Sequence, residues 1–368
     1  MTEPPAVTRA GAWVGGRAVS APEAVRQAAG LLGRSRAAVV AGLGTDIAGA
    51  RASVALAQAI GAAIDHMDAD AALANLDVMR RAGWIVTTPL QARTRADAVL
   101  LVGPGLPAAW PDMVVRLALH DPPALVPDAA RKLFHLGPGT DGPLAGAIAI
   151  EAPAERLLVP LAVLRALAAG RPTSLDSTAA APLQNLAAAL AQARFGVAVW
   201  AAGALDTLAV ETLCGLIDDL NRTTRFAGLP LPAANNAEGV MQASAWATGF
   251  PFRTGFAGAV PVHDPWRFDA RRMVASGEAD AALWISAFAP TPPPWGDDVP
   301  TVALVAPGTE FRTPPAVLLE VGHPGIDHDS MLFNAALGGI SFAAAASPRP
   351  TARVADTVAA IMAALQSC

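Results

Sequence analysis

The stretch from Ala37 to Asn75 constrains the fold more than any other part of the chain. An apolar run, Ala37-Ala38-Val39-Val40-Ala41, reaches Gly42-Leu43-Gly44-Thr45-Asp46. Small residues follow from Ile47 to Ile60, and then comes Ala62-Ala63-Ile64-Asp65. A buried strand, a glycine turn, a helix and a second strand make a βαβ unit, the building block of doubly wound α/β folds. Ligands in such folds lie beyond the carboxyl ends of the strands. Here those ends are residues 42–46 and 65–75.

The rest of the chain repeats the alternation. Helical spacing is expected over 21–32 and 71–82. Extended segments are expected at 84–88, 97–102, 124–126 and 133–136, with a helix around 113–119. Residues 151–194 read as mostly helical. A second βαβ start follows: strand 196–200, helix 205–220, strand 223–226. A long loop is expected over 228–256, then a helix over 267–276. Strands are expected at 281–285, 301–305 and 316–320, and a closing helix at 352–365. The two starts, near 37 and 196, suggest half-sheets that pair. The expected domains are 1–72 with 196–368, interrupted by an inserted α/β domain at 73–195.

Composition removes several functions. Net charge is −5, with no block of lysine or arginine, so nucleic-acid binding is not indicated. Charged residues are only 15% while apolar residues are 53%, a balance that suits a chain covered in part by partners. Residues 177–193 are interrupted by Pro182, Gln184, Asn185 and Gln192 and do not read as a membrane span. Nothing resembles a signal-peptide core, and the chain reads as soluble and cytoplasmic. The two cysteines, Cys214 and Cys368, have no metal-ligand spacing.

Four segments are candidate sites. Gly42-x-Gly44-x-x-Ile47 matches the dinucleotide fingerprint only in part, because the third glycine is missing. Asp65-His66-Met67-Asp68-Ala69-Asp70 stands at a strand's carboxyl end and suits either a divalent metal or capping and solvated charge. His323-Pro324-Gly325-Ile326-Asp327-His328-Asp329 lacks zinc spacing and reads as a capping loop. The loop Asn235-Asn236-Ala237-Glu238-Gly239-Val240-Met241-Gln242, followed by Trp246, Phe250, Phe252 and Arg253, is the best polar candidate. Its amides suit either a flat heterocycle or the bracing of backbone carbonyls.

These segments carry a family resemblance. The runs 42–46 and 62–65, Gln91-Ala92-Arg93-Thr94-Arg95-Ala96-Asp97-Ala98-Val99, and the run from Asn235 to Phe252 resemble the B subunit of formylmethanofuran dehydrogenase, a member of the molybdopterin oxidoreductase superfamily. The resemblance extends in order from about residue 20 to 365. It implies Rossmann-like, doubly wound parallel sheets. The family's iron–sulfur centre needs an N-terminal cysteine cluster, and residues 1–34 hold no cysteine. The thiolate for molybdenum or tungsten should fall within Ala71-Ala72-Leu73-Ala74-Asn75, and none is there. The segment Ser286-Ala287-Phe288-Ala289-Pro290 also lacks the family's usual Gly/Asp character. The pterin-bound metal, the 4Fe–4S cluster and the iron–sulfur domain are therefore expected to be lost.

A chain lacking these cluster and metal-ligating cysteines resembles the B subunit of the bacterial formyltransferase/hydrolase complex. The resemblance implies a redox-dead scaffold with subunits A, C and D as partners. That complex moves a formyl group from tetrahydromethanopterin to methanofuran and hydrolyses it to formate. The alternative is an active oxidoreductase holding its pterin without cysteine, through Asp68 or Asp70 for instance. Asn235, Asn236, Gln242 and Arg253 are the candidate contacts to methanofuran or to a vestigial pterin site. Arg225, Arg253, Arg267, Arg271 and Arg272 form a loose cationic set, suited either to methanofuran's glutamate-rich tail or to salt bridges with partner subunits.

Overall fold

The structure, a computed structural model, describes residues 11–126, 129–139, 144–173, 177–258 and 260–367. Cys368 and most of the proline-broken N-terminus lie outside the described residues. The chain divides into two α/β units. One comprises Met1–Ala69, Ala234–Phe333 and Ile340–Cys368; the other comprises Asp70–Ala233 and Asn334–Gly339.

The first unit holds a mixed nine-stranded sheet. Its centre is parallel: Ala63–Ile64, Ala38–Gly44, Ala281–Ser286, Thr301–Val305 and Val317–Glu320 lie side by side in that order. Every residue of Ala38–Gly44, Ala281–Ser286 and Thr301–Val305 is buried, as expected of strands covered on both faces. Short antiparallel strands finish the edges: Thr254–Gly255 and Val262–His263 on one side, Ala12–Val14 and Arg17–Ala18 on the other. Helices Ala21–Gly33 and Ile47–Ile60 both pack against helix Val354–Leu365. Ser20 and Asp46 start the first two by accepting from backbone N–H groups three residues on.

The second unit has a five-stranded parallel sheet. From Ala98–Val102 the chain steps outward to Lys132–Gly137 and Ile148–Glu151. It then returns to the other side of the first strand for Gly196–Ala201 and Phe226–Leu231. One face buries Leu100, Phe134 and Trp200 against Leu158–Ala168, Ser177–Ala191 and Thr207–Leu220; the other buries Leu101, Val199 and Leu231 against Leu106, Trp110 and Met113.

Several sequence expectations do not hold. The inserted unit does not end at 195. Gly196–Ala201 pairs in parallel with Ala98–Val102, and Phe226–Leu231 pairs with it in turn, so the unit runs on to Ala233. A βαβ start carries no label saying which sheet it joins. Residues 124–126 form turns, and 84–88 contribute only a bridge between Val86 and Gly228. The expected loop 228–256 contains a helix, Ala237–Thr248. The strand Ile148–Glu151 and the hairpin Ser330–Asn334 with Gly339–Ala343 are additions to the expected strands; their apolar runs, Ile148-Ala149-Ile150 and Met331-Leu332-Phe333, are only three residues long, too short to tell from loop.

Candidate functional site

Gly42 does not open a phosphate loop. The strand continues through Gly44, with Gly42 at φ +79° and Leu43 at φ +49°. A Cβ on Gly42 would meet the Ile285 carbonyl oxygen at 2.5 Å. The glycine serves a bulge and a close strand approach, matched by the register shift between Trp284 and Ser286. Its carbonyl accepts from Met67 N–H at 2.9 Å, which draws the end of Ala63–Ile64 into place.

Three side chains meet at that end. Asp65 accepts from its neighbour His66 N–H at 2.8 Å and from Ala270 N–H at 2.9 Å. Arg253 lies with its Nε 3.3 Å from Asp65 Oδ1 and its Nη2 2.7 Å from Asp269 Oδ2, and Nη1 donates to the Pro265 carbonyl at 3.0 Å. One guanidinium thus lies between two carboxylates, with its side chain only 11% exposed. Burial pushes the Asp65 carboxyl up to about 7; Arg253 and the two N–H bonds pull it down, but less strongly. Where Asp65 takes up its proton, below about pH 7, Arg253 and Asp269 are left as a neutral pair.

His66 is enclosed beside this cluster, stacked on the buried Phe252 at 5.4 Å. Its Nδ1 accepts from Asp68 N–H at 3.0 Å and its Nε2 donates to the Asn235 carbonyl at 3.2 Å, which fixes one neutral tautomer. Burial lowers its pKa to about 4, against the opposing pull of Asp68 and the Asn235 carbonyl.

The amide loop closes the site. Asn235 Nδ2 donates to Asp68 Oδ2 at 2.9 Å. Asn236 Nδ2 donates to the Thr45 carbonyl at 2.8 Å, and its Oδ1 accepts from Phe333 N–H at 2.9 Å. Asn235 and Asn236 both have positive φ, at 52° and 62°, just before helix Ala237–Thr248. With Leu43 and Arg253 (φ +57°), they put every strained non-glycine residue described in the first unit around these strand ends. Strain of this kind gathers where a fold holds a shaped site.

The four candidate contacts therefore separate. The Asn235 and Asn236 amides and the Arg253 guanidinium bind the chain's own groups; Gln242 lies half-buried on helix Ala237–Thr248. Of the cationic set, Arg272 stacks on Trp266 and bonds Glu278, whereas Arg267 and Arg271 stand exposed on the first unit and Arg225 belongs to the second. Asp327 accepts from His323 N–H at 2.7 Å, and the segment leads into strand Ser330–Asn334 rather than a helix. Among the described residues, no group of three or more His, Cys, Asp or Glu side chains is placed to hold a metal. Sequence reasoning missed Asp269 and the bracing role of Asp65; only the Phe-Asp-Ala before an arginine pair marked the position, and that reads equally as a helix cap.

The segment where the resemblance places the thiolate and one of the runs that carry the resemblance are both structural in the second unit. Residues 71–75 lie in helix Ala69–Ala82, where Asn75 Oδ1 accepts from Trp200 Nε1 at 3.0 Å. Ala71 lies against the Gly203 turn so closely that a Cβ on Gly203 would stand 2.9 Å from it. In the Arg-Thr-Arg-Ala-Asp run, Arg93 donates to the carbonyls of Val115 and Arg116, and Asp97 accepts from the N–H groups of Arg194 and Phe195.

The chain is 36% identical over 358 residues to the B subunit of the formyltransferase/hydrolase complex of Methylorubrum extorquens, covering 95% of this chain and 96% of that protein. The chain belongs to this B-subunit family. A chain of the crystal structure of the formyltransferase/hydrolase complex from the same organism, in complex with methylofuran, superposes with a TM-score of 0.87 at 35% identity, over 97% of this chain and 99% of that one. This family membership fits the mixed α/β architecture with parallel sheets. More distantly, the chain is 24% identical over 251 residues to the B subunit of the tungsten-containing formylmethanofuran dehydrogenase 2 of Methanocaldococcus jannaschii, covering 63% of this chain and 56% of that protein. The corresponding Methanococcus maripaludis protein is 23% identical over 218 residues, covering 56% of this chain and 50% of that protein. No family model matches the chain.

Proposed function

We propose that this chain is a non-catalytic scaffold that assembles with subunits A, C and D of a formyltransferase/hydrolase complex. The assembly would transfer a formyl group from tetrahydromethanopterin to a furan-bearing carrier and release it as formate, in the cytoplasm. The observation that carries this reading is the match to a B-subunit relative along nearly the full length of both chains.

The residues present do not fit the redox groups of the wider superfamily. A 4Fe–4S cluster takes four thiolates, and the chain has two cysteines, one of them, Cys214, buried in helix Thr207–Leu220. The segment where a metal-ligating thiolate is expected is packed as a small-residue helix, and Asp68 is engaged by Asn235. We therefore read the fold as Rossmann-like and doubly wound, without an iron–sulfur domain. Its former cofactor end is held together by Asp65, His66, Asn235, Asn236 and Arg253. The carrier in the relative's crystal is methylofuran, where the sequence resemblance names methanofuran. Gln242 is the one candidate contact whose side chain has no bond described within the chain, so a carrier contact on this protein would begin there.

The test is to purify the tagged chain from its own cells. Three further subunits should accompany it, the assembly should hydrolyse the formylated carrier, and elemental analysis should find no stoichiometric tungsten, molybdenum or iron. Stoichiometric tungsten or molybdenum, or a chain that purifies alone, overturns the reading.

A further inference from the structure

Parallel neighbours are normally joined by a crossover helix that covers the sheet. Two crossovers of the first unit have none. Residues 287–300 join Ala281–Ser286 to Thr301–Val305, and 306–316 join Thr301–Val305 to Val317–Glu320, without a helical turn. Prolines fill them instead: Pro292-Pro293-Pro294 in the first and Pro314-Pro315 in the second. Between the two runs lies an open groove of about 820 Å³, within the size range of sites that hold a compact ligand or a side-chain anchor.

The groove's chemistry is one-sided. Its floor is Trp295, buried edge-on against Trp284 at 5.4 Å, with its single donor, Nε1–H, bonded to Thr301 Oγ1 at 3.1 Å. Proline has no N–H, so the Pro292–Pro294 and Pro314–Pro315 stretches of wall present carbonyl oxygens and apolar rings but no backbone donors. No described group bonds the carbonyls of Pro292, Pro293 or Pro294. The exposed carboxylates Asp297 and Glu310 line the groove against one guanidinium, Arg312. Acceptors, negative charge and aromatic or proline surface call for a planar cation with several donors, and arginine meets all three requirements.

We propose that this proline-walled groove is a docking surface for an arginine-bearing segment of another subunit of the same complex. The partner element takes the place of the missing crossover helix: its guanidinium donates to the proline carbonyls and the Asp297 and Glu310 carboxylates, and its apolar flank covers Trp295 and Phe311. The inference rests on the assembly reading given above.

The experiment uses the co-expressed complex. A photo-reactive benzoylphenylalanine at position 292 or 294, both exposed, should cross-link to a peptide of another subunit that carries arginine at or next to the linked residue. Separately, the pair Asp297→Lys and Glu310→Lys should weaken retention of the other subunits about tenfold, because it sets like charges against each other across a contact. Both carboxylates are exposed, so the variant chain should melt as the wild type does. Cross-links confined to this chain, cross-links to a second copy of it, or unchanged retention in the double variant overturn the proposal alone when the wild type still assembles. A wild-type chain that brings no other subunit overturns the assembly reading, and this proposal with it.

Discussion

Asp65 and His66 set up a pH test that depends on the interior of the first unit and on no partner. Burial raises the Asp65 carboxyl from its ordinary 3.8 to about 7 and lowers the His66 imidazole from 6.5 to about 4. Between about pH 5 and 6 the folded chain holds a proton on Asp65 and none on His66. The unfolded chain holds one on His66 and none on Asp65. The proton counts match, so this pair leaves stability level across the window.

Asp65→Asn removes one half of the balance. A carboxyl whose folded pKa is raised costs the fold stability as pH climbs from its unfolded to its folded value, so deleting it removes that loss. His66 alone remains, with the unfolded state binding the extra proton. Relative to wild type, the variant should gain about 1.4 kcal/mol per pH unit, or about 3 kcal/mol between pH 4.5 and 6.5. The lost carboxylate acceptor adds a constant offset that does not affect the slope. Urea unfolding of both proteins at half-unit steps measures the difference, and the remaining titrations of the chain cancel in the subtraction. A flat difference would mean that Asp65 is ionised in the folded state, held by Arg253 and its N–H donors, and would refute the argument.

Asn236 should be costly to replace, and its two simplest replacements should differ. Glycine keeps the positive φ and loses only the Thr45 and Phe333 bonds, about 2 kcal/mol, while alanine adds about 1 kcal/mol of left-handed strain; denaturation of the two variants checks the order. Burial pushes the Cys214 thiol up to about 11, so a thiol reagent at pH 8 should leave it unlabelled in the native chain and label it once urea is added, read by mass spectrometry of its peptide. Trp200→Phe strands the buried Asn75 amide oxygen and should destabilise the chain by about 1–3 kcal/mol in the same unfolding assay.

Much of the fold is legible in local sequence. The apolar runs at 37–41, 97–102, 196–200, 281–285 and 301–305 all lie in or overlap buried strands, because a strand covered on both faces needs an unbroken apolar run. Ser20, Asp46, Thr88, Asp206 and Asp269 cap helices with their own side chains, a contact made within three residues. The run from Asn235 to Phe252 carries the family resemblance but hides its helix, since Gly239 and Gly249 and the paired asparagines look like loop chemistry.

The sequence by itself determined the α/β class, the strands of both sheets' centres, the family, and the shortage of thiolates for a metal centre. These follow from residue identity and short-range order. Only the tertiary structure decided which sheet Gly196–Ala201 joins, that the Asn235–Asn236 amides brace strand ends, and that Arg253 pairs with Asp65 at 188 residues' separation. Strand pairing and buried ion pairs are contacts between distant segments. Their energies depend on what surrounds them once the chain is folded, so an arginine enclosed between two carboxylates and one facing solvent are spelled alike.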